Sequence, residues 1–78
     1  MALISKNNIT KSDKERNSVH EVVESTYSVF EKYGEKFFQL DTYGSPDRKL
    51  KGKISQSIQL DKDSAEFIVK TLRNYFNI

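Results

Sequence analysis

The chain has no cysteine and no tryptophan, one proline (Pro46), one histidine (His20) and three glycines (Gly34, Gly44, Gly52). Without thiols there is no disulfide scaffold, thiolate metal site or cysteine nucleophile. A lone histidine in a valine-rich stretch has no second His or Cys to form a metal cluster, so His20 is read as a surface or edge residue. The glycines lie too far apart for a dinucleotide fingerprint, and no G-x-x-x-x-G-K-[ST] loop occurs. No apolar run approaches the roughly 20 residues of a membrane span. The opening Met1-Ala2-Leu3-Ile4-Ser5 puts no long apolar stretch behind a basic start, so it does not read as a secretory signal. These absences predict a soluble, cytoplasmic protein (nucleoid-associated in a bacterium). They also predict a non-enzyme with no catalytic residue, cofactor or metal.

What is present is an ordinary globular composition, 36% hydrophobic and 31% charged, too apolar for a wholly disordered chain. At 78 residues the core is thin, because a domain of this size buries only about 60% of its unfolded surface. Such domains often need a partner or a second copy.

The net charge of +2 is unevenly spread. Residues 1–17 are mildly basic through Lys6, Lys11, Lys14 and Arg16 against Asp13 and Glu15. Residues 18–44 are acidic, with Glu21, Glu24, Glu31, Glu35 and Asp41 against Lys32 and Lys36. Residues 45–60 are basic again, with Arg48, Lys49, Lys51 and Lys53 against Asp47. A concentrated basic loop points mildly to a polyanion; the plainer alternative is a solvated loop.

Periodicity divides the chain into an arm and a domain. Residues 1–17 show no sustained period and read as a flexible or loosely docked N-terminal arm, with the docking of residues 3–9 as a strand left open. Residues 18–78 read as a single domain. Residues 20–30, rich in Val, Thr, Tyr and Phe, suit a strand with both faces partly covered. Gly34 supplies the positive φ of a hairpin turn. Residues 36–42 return as a second strand, with Phe38, Leu40 and Thr42 on one face and Phe37, Gln39, Asp41 and Tyr43 on the other. Gly44-Ser45-Pro46-Asp47 breaks that strand. Residues 53–60 alternate cleanly, with Ile54, Ile58 and Leu60 inward and Lys53, Ser55, Ser57 and Gln59 outward.

A helix follows to about Phe76. Asp63 with Glu66 is the first choice of capping pair, and Asp61 with Ser64 the fallback. Ala65, Ile68, Val69, Leu72 and Phe76 form its apolar stripe. Phe67 and Tyr75 flank the stripe, where a helix–helix dimer contact is a natural use. The expected fold is α+β: one small antiparallel sheet of three or four strands followed by one C-terminal amphipathic helix packed on one face. A single helix leaves the other sheet face open.

On that open face Phe37 and Tyr43 alternate with Lys, Ser and Gln, a composition suited to stacking bases and tracking phosphates. The alternative use of Phe37 and Tyr43 is a dimer interface or packing beneath the basic loop. Tyr27 and Phe30 are left to core or interface.

The stretch FQLDTYGSPDRKLKGKISQSIQL (residues 38–60), with the Asp-rich cap and helix that follow, resembles the single-stranded-DNA-binding domain of the transcriptional coactivator positive cofactor four and its small bacterial relatives. The likeness covers roughly the last 45 residues, and its motifs are short. It implies a homodimer paired through its helices, with Phe67, Leu72, Tyr75 and Phe76 at the interface, and a curved sheet that binds single strands with little sequence preference. By position it implicates Tyr43, Arg48, Lys49, Lys51 and Lys53 in nucleic-acid contact, and by strand analogy Lys36 and Phe37. Glu31, Glu35 and Asp41 depart from such a groove, and the strand at residues 53–60 is about two residues longer than the family's. The TYGS…DR…GK…SQSIQ core also resembles that of other small bacterial proteins, which bears on fold alone. Two functions follow as expectations: a dimeric single-stranded DNA or RNA binder, or a small interaction subunit docking on a larger protein through its sheet face or edge strand.

Overall fold

The computed structural model describes residues 1–44 and 52–78. They form four strands, β1 (Ala2–Ile4), β2 (Ser25–Lys32), β3 (Glu35–Tyr43) and β4 (Ile54–Leu60), a 3-10 turn (Lys6–Asn8), and one helix, α1 (Lys62–Phe76). The strands make a single sheet in the order β1-β4-β3-β2. The α+β arrangement with one C-terminal helix is therefore as the periodicity predicts.

The hairpin between β2 and β3 turns on two residues. Tyr33 and Gly34 both have positive φ, 55° and 75°, as a type I′ turn requires to match the twist of its strands. That loop sets the register: Lys32 faces Glu35, and counting outward Phe30 faces Phe37 and Tyr27 faces Leu40. β3 pairs antiparallel with β4 from Phe38↔Leu60 to Thr42↔Gln56.

Three details depart from the sequence reading. β2 starts at Ser25 rather than near His20: its ladder with β3 begins at the pair Ser25↔Thr42, and just ahead of it the Glu24 carbonyl still accepts from the Tyr43 N–H at 2.9 Å. Strand propensity without a ladder does not make a strand, and Val19 and Val22 lie exposed. A register shift at Thr42/Tyr43 pairs Ile54 with Tyr43, so Ile54 does not continue the Ile58 and Leu60 face by simple alternation. Finally, β1 joins β4 in parallel, which makes the sheet mixed. The first residues of the arm thus dock as a three-residue edge strand.

The register sorts the sheet into two unlike faces. On one, two apolar rows run across all four strands: Ala2, Ile58, Leu40 and Tyr27, then Ile4, Leu60, Phe38 and Val29. Tyr27 and Phe38 stack on this face with ring centroids 5.8 Å apart. On the other lie Thr26, Ser28 and Phe30 of β2, Phe37, Gln39 and Asp41 of β3, and Ser57 and Gln59 of β4.

The helix is capped by Asp61. Its side chain accepts from the backbone N–H of Ser64 at 2.9 Å, while the Asp61 N–H donates to Ser64 Oγ at 3.1 Å. This reciprocal box uses Asp61 and Ser64, not Asp63 and Glu66, because α1 begins at Lys62, immediately after β4 ends. Asn77, left-handed at φ 56°, closes the far end. The helix touches β3, β4 and the 3-10 turn. No helix among the described residues is long and apolar enough to cross a membrane.

Among the described residues no hydrophobic side chain is buried; the two buried residues are polar, Asp41 (8% exposed) and Ser64 (0%).

Candidate nucleic-acid interface

The polar face of the sheet is organised along β3, whose residues Phe37, Gln39, Asp41 and Tyr43 follow one another at alternate positions. Each of Phe37, Gln39 and Tyr43 is tied to a neighbouring strand. Phe37 stacks on Phe30 of β2, with centroids 5.2 Å apart and ring planes 23° from parallel. Phe37 is half-buried and Phe30 at the margin of exposure, so the pair is a firm aromatic platform with accessible surface. At the other end the Tyr43 hydroxyl shares a 3.0 Å hydrogen bond with Thr26 Oγ1, and the Tyr43 N–H donates to the Glu24 carbonyl at 2.9 Å.

Between the aromatic ends runs an amide relay. Gln39 Nε2 donates to both carboxylate oxygens of Asp41, at 3.0 and 3.2 Å. Gln59 Nε2 donates in turn to Gln39 Oε1 at 2.8 Å. The carboxylate fixes the direction: it accepts only, so Gln39 presents its NH₂ to Asp41 and its oxygen to Gln59, which must then donate. Asp41 is thereby buried with its carboxylate engaged inside the sheet. The acid that departs from a phosphate-binding groove is thus occupied by the amide beside it.

The residues implicated by sequence fall into three groups. Phe37 and Tyr43 share the polar face. Lys36 does not: it pairs with Glu31 and takes the same side as Phe38, the apolar face, because neighbouring residues on a strand point oppositely. Lys53 is exposed just ahead of β4. Arg48, Lys49 and Lys51 lie outside the described residues. The helix residues Phe67, Leu72, Tyr75 and Phe76 are all exposed, with Tyr75 and Phe76 in edge-to-face contact at 5.3 Å.

Phe30 is the residue the sequence reading left to core or interface and the structure joins to Phe37. Its signal was present: a two-residue turn at 33–34 sets Lys32 against Glu35 and hence Phe30 against Phe37. Lys32, two residues along from Phe30, adds a cation to the same face and lies 5.5 Å from the Tyr33 ring centroid.

No family model, curated protein or solved structure matches the chain.

Proposed function

We propose that this protein binds single-stranded nucleic acid with little sequence preference along the polar face of β2, β3 and β4. The observation that carries the reading is the stacked Phe30–Phe37 pair at one end of a row of amide side chains, with Tyr43 at the other. Bases stack on accessible aromatic faces, each worth about 1–3 kcal/mol, and every base has such a face, so sequence matters little. Gln39, Gln59 and Ser57 offer hydrogen-bonding groups beside the platform. The stretch between β3 and β4 carries Arg48, Lys49, Lys51 and Lys53, and these cations serve the phosphates. The resemblance to the positive cofactor four domain supports the same use of a sheet face and a basic loop. Lys36, on the apolar side, is left out of the site.

The test is fluorescence anisotropy with labelled poly-dT and with duplex DNA, at low and at physiological salt. Submicromolar, salt-sensitive binding that favours the single strand is expected. Absence of single-strand binding even at low salt overturns the reading. A second reading, a small subunit docking on a larger protein, draws on β2, which among the described residues forms an eight-residue edge of the sheet, the kind of edge that strand addition uses. It predicts no oligonucleotide binding at physiological salt and a protein partner released by Phe37→Ala.

A further inference from the structure

The amide relay on the polar face ends at Gln59, and its direction decides what Gln59 has left to offer. Asp41 is buried and its carboxylate only accepts, so Gln39 turns its NH₂ toward Asp41 and its oxygen toward Gln59. Gln59 then commits one N–H to Gln39 Oε1 at 2.8 Å. Its own oxygen and its second N–H remain. Among the described residues nothing donates to that oxygen, and no unpartnered side-chain oxygen is buried, so the half-buried Gln59 turns it to solvent. A glutamine amide free to turn over presents either end and reads nothing. One pinned through Gln39 to a buried carboxylate presents one end only.

We propose that Gln59 reads a base edge and that Asp41 is its positioning residue, so that the site prefers bases carrying an exocyclic amino group, cytosine and adenine, over the keto bases uracil, thymine and guanine. This rests on the reading of the polar face as a single-strand site and adds to it a chemical preference at one position. The Gln59 oxygen accepts from the amino group of cytosine or adenine, while its second N–H donates to the adjacent ring nitrogen. Uracil in the same placement sets its O4 against the Gln59 oxygen and its N3–H against the Gln59 N–H, and both bonds are lost.

The register puts the reader beside the stacking surface. Gln39 pairs with Gln59, so Phe37 lies diagonal to Gln59 across β3 and β4, about 7–8 Å away and within reach of a long side chain. On its other side Gln59 pairs with Leu3 of β1, which shares its face and is 53% exposed. A base whose edge meets Gln59 therefore has an aromatic ring on one side and an apolar side chain on the other. Stacking itself tolerates every base. The preference is consequently modest, about three- to tenfold, the net worth of one hydrogen bond at a site open to water.

The experiment is fluorescence anisotropy with oligodeoxycytidylate and oligodeoxyuridylate of equal length, at one salt concentration and neutral pH, on the full chain. These two bases differ at the edge that Gln59 meets and lack the thymine methyl. Wild type should bind the cytidylate about three- to tenfold more tightly. Gln59→Leu removes the reader and should bring that ratio to about one. Asp41→Asn keeps the side chain's shape but can donate as well as accept, so the relay is free to reverse and turn the Gln59 NH₂ outward; the ratio should fall to about one or invert. Circular dichroism verifies that each variant is folded, and if Asp41→Asn is not, Gln59→Leu decides. Equal binding of the two oligonucleotides by wild type, or a ratio that survives Gln59→Leu, overturns the proposal and leaves the single-strand reading standing. A ratio unchanged in folded Asp41→Asn overturns the role of Asp41. Failure of both oligonucleotides to bind even at low salt overturns the single-strand reading and this proposal with it.

Discussion

The side-chain amide of Gln59 donates to Gln39 at 2.8 Å across the β3–β4 pair, and Gln39 passes the relay on to the buried carboxylate of Asp41. Because a carboxylate has no proton to give, the whole chain of bonds has one direction. Its members are therefore unequal.

Gln39→Leu removes the donor that Asp41 faces and leaves a buried carboxylate short of a partner, a loss of about 1–3 kcal/mol. Gln59→Leu removes one bond at the outer end and should cost about 1 kcal/mol or less. Urea unfolding of the two variants decides it; an equal cost, or the reverse order, would show that the relay does not fix Asp41.

Gly34 carries a positive φ of 75°, and a Cβ placed there would meet no atom within 4 Å. The cost of Gly34→Ala is consequently conformational, about 1–2 kcal/mol. Tyr33→Asn should be neutral to stabilising, since asparagine accepts the left-handed region more readily than tyrosine. Thermal midpoints of the two variants should move apart, and a Gly34→Ala midpoint equal to wild type would contradict the turn.

The N–H of Ser64 holds the Asp61 carboxyl below its ordinary value, with the Ser64 hydroxyl assisting. A carboxyl whose value is lowered on folding stabilises the fold above its unfolded value of about 3.9, and that stabilisation is lost as pH falls from there through the lowered value. Helix content should therefore decline below about pH 4. Asp61→Asn keeps the cap's acceptor but should flatten this acid limb, while Asp61→Ala should lower helicity at neutral pH as well. An acid limb unchanged in Asp61→Asn would assign the transition to another carboxyl.

Phe37→Ala and the pair Lys51→Ala, Lys53→Ala should weaken binding to poly-dT in different ways. The lysine variant should flatten the salt slope by about one unit for each phosphate that is no longer neutralised, equally for all sequences. The phenylalanine variant should forfeit about 1–3 kcal/mol of affinity with the slope nearly intact. Salt titrations of both variants separate the contributions. If neither moves the affinity, the polar face is not the binding surface.

Much of this could be read from local signals. The alternation of residues 53–60 announced β4, the glycine at 34 the hairpin, and the stripe from Ala65 to Phe76 the helix, each because side-chain direction follows backbone period. The choice between two adjacent caps was not local. Asp63 with Glu66 fits the capping pattern better than Asp61 with Ser64 does, yet the end of β4 at Leu60 selected the fallback pair. The start of β2 likewise followed from its register with β3, which begins at Ser25↔Thr42, and not from the valines before it.

The sequence by itself determined the kinds and order of β2, β3, β4 and α1 and the two-faced character of β3, because these rest on intervals of two and of nearly four residues along one chain. Only the tertiary structure decided which faces meet. It paired Phe30 with Phe37 and linked Gln59 through Gln39 to Asp41. It turned Lys36 to the apolar side, added Ala2–Ile4 as a parallel edge and aligned eight apolar residues in two rows across four strands. Those relations join residues as distant along the chain as Ala2 and Ile58, which pair across β1 and β4. A periodic pattern has no information at that separation; register between strands supplies it.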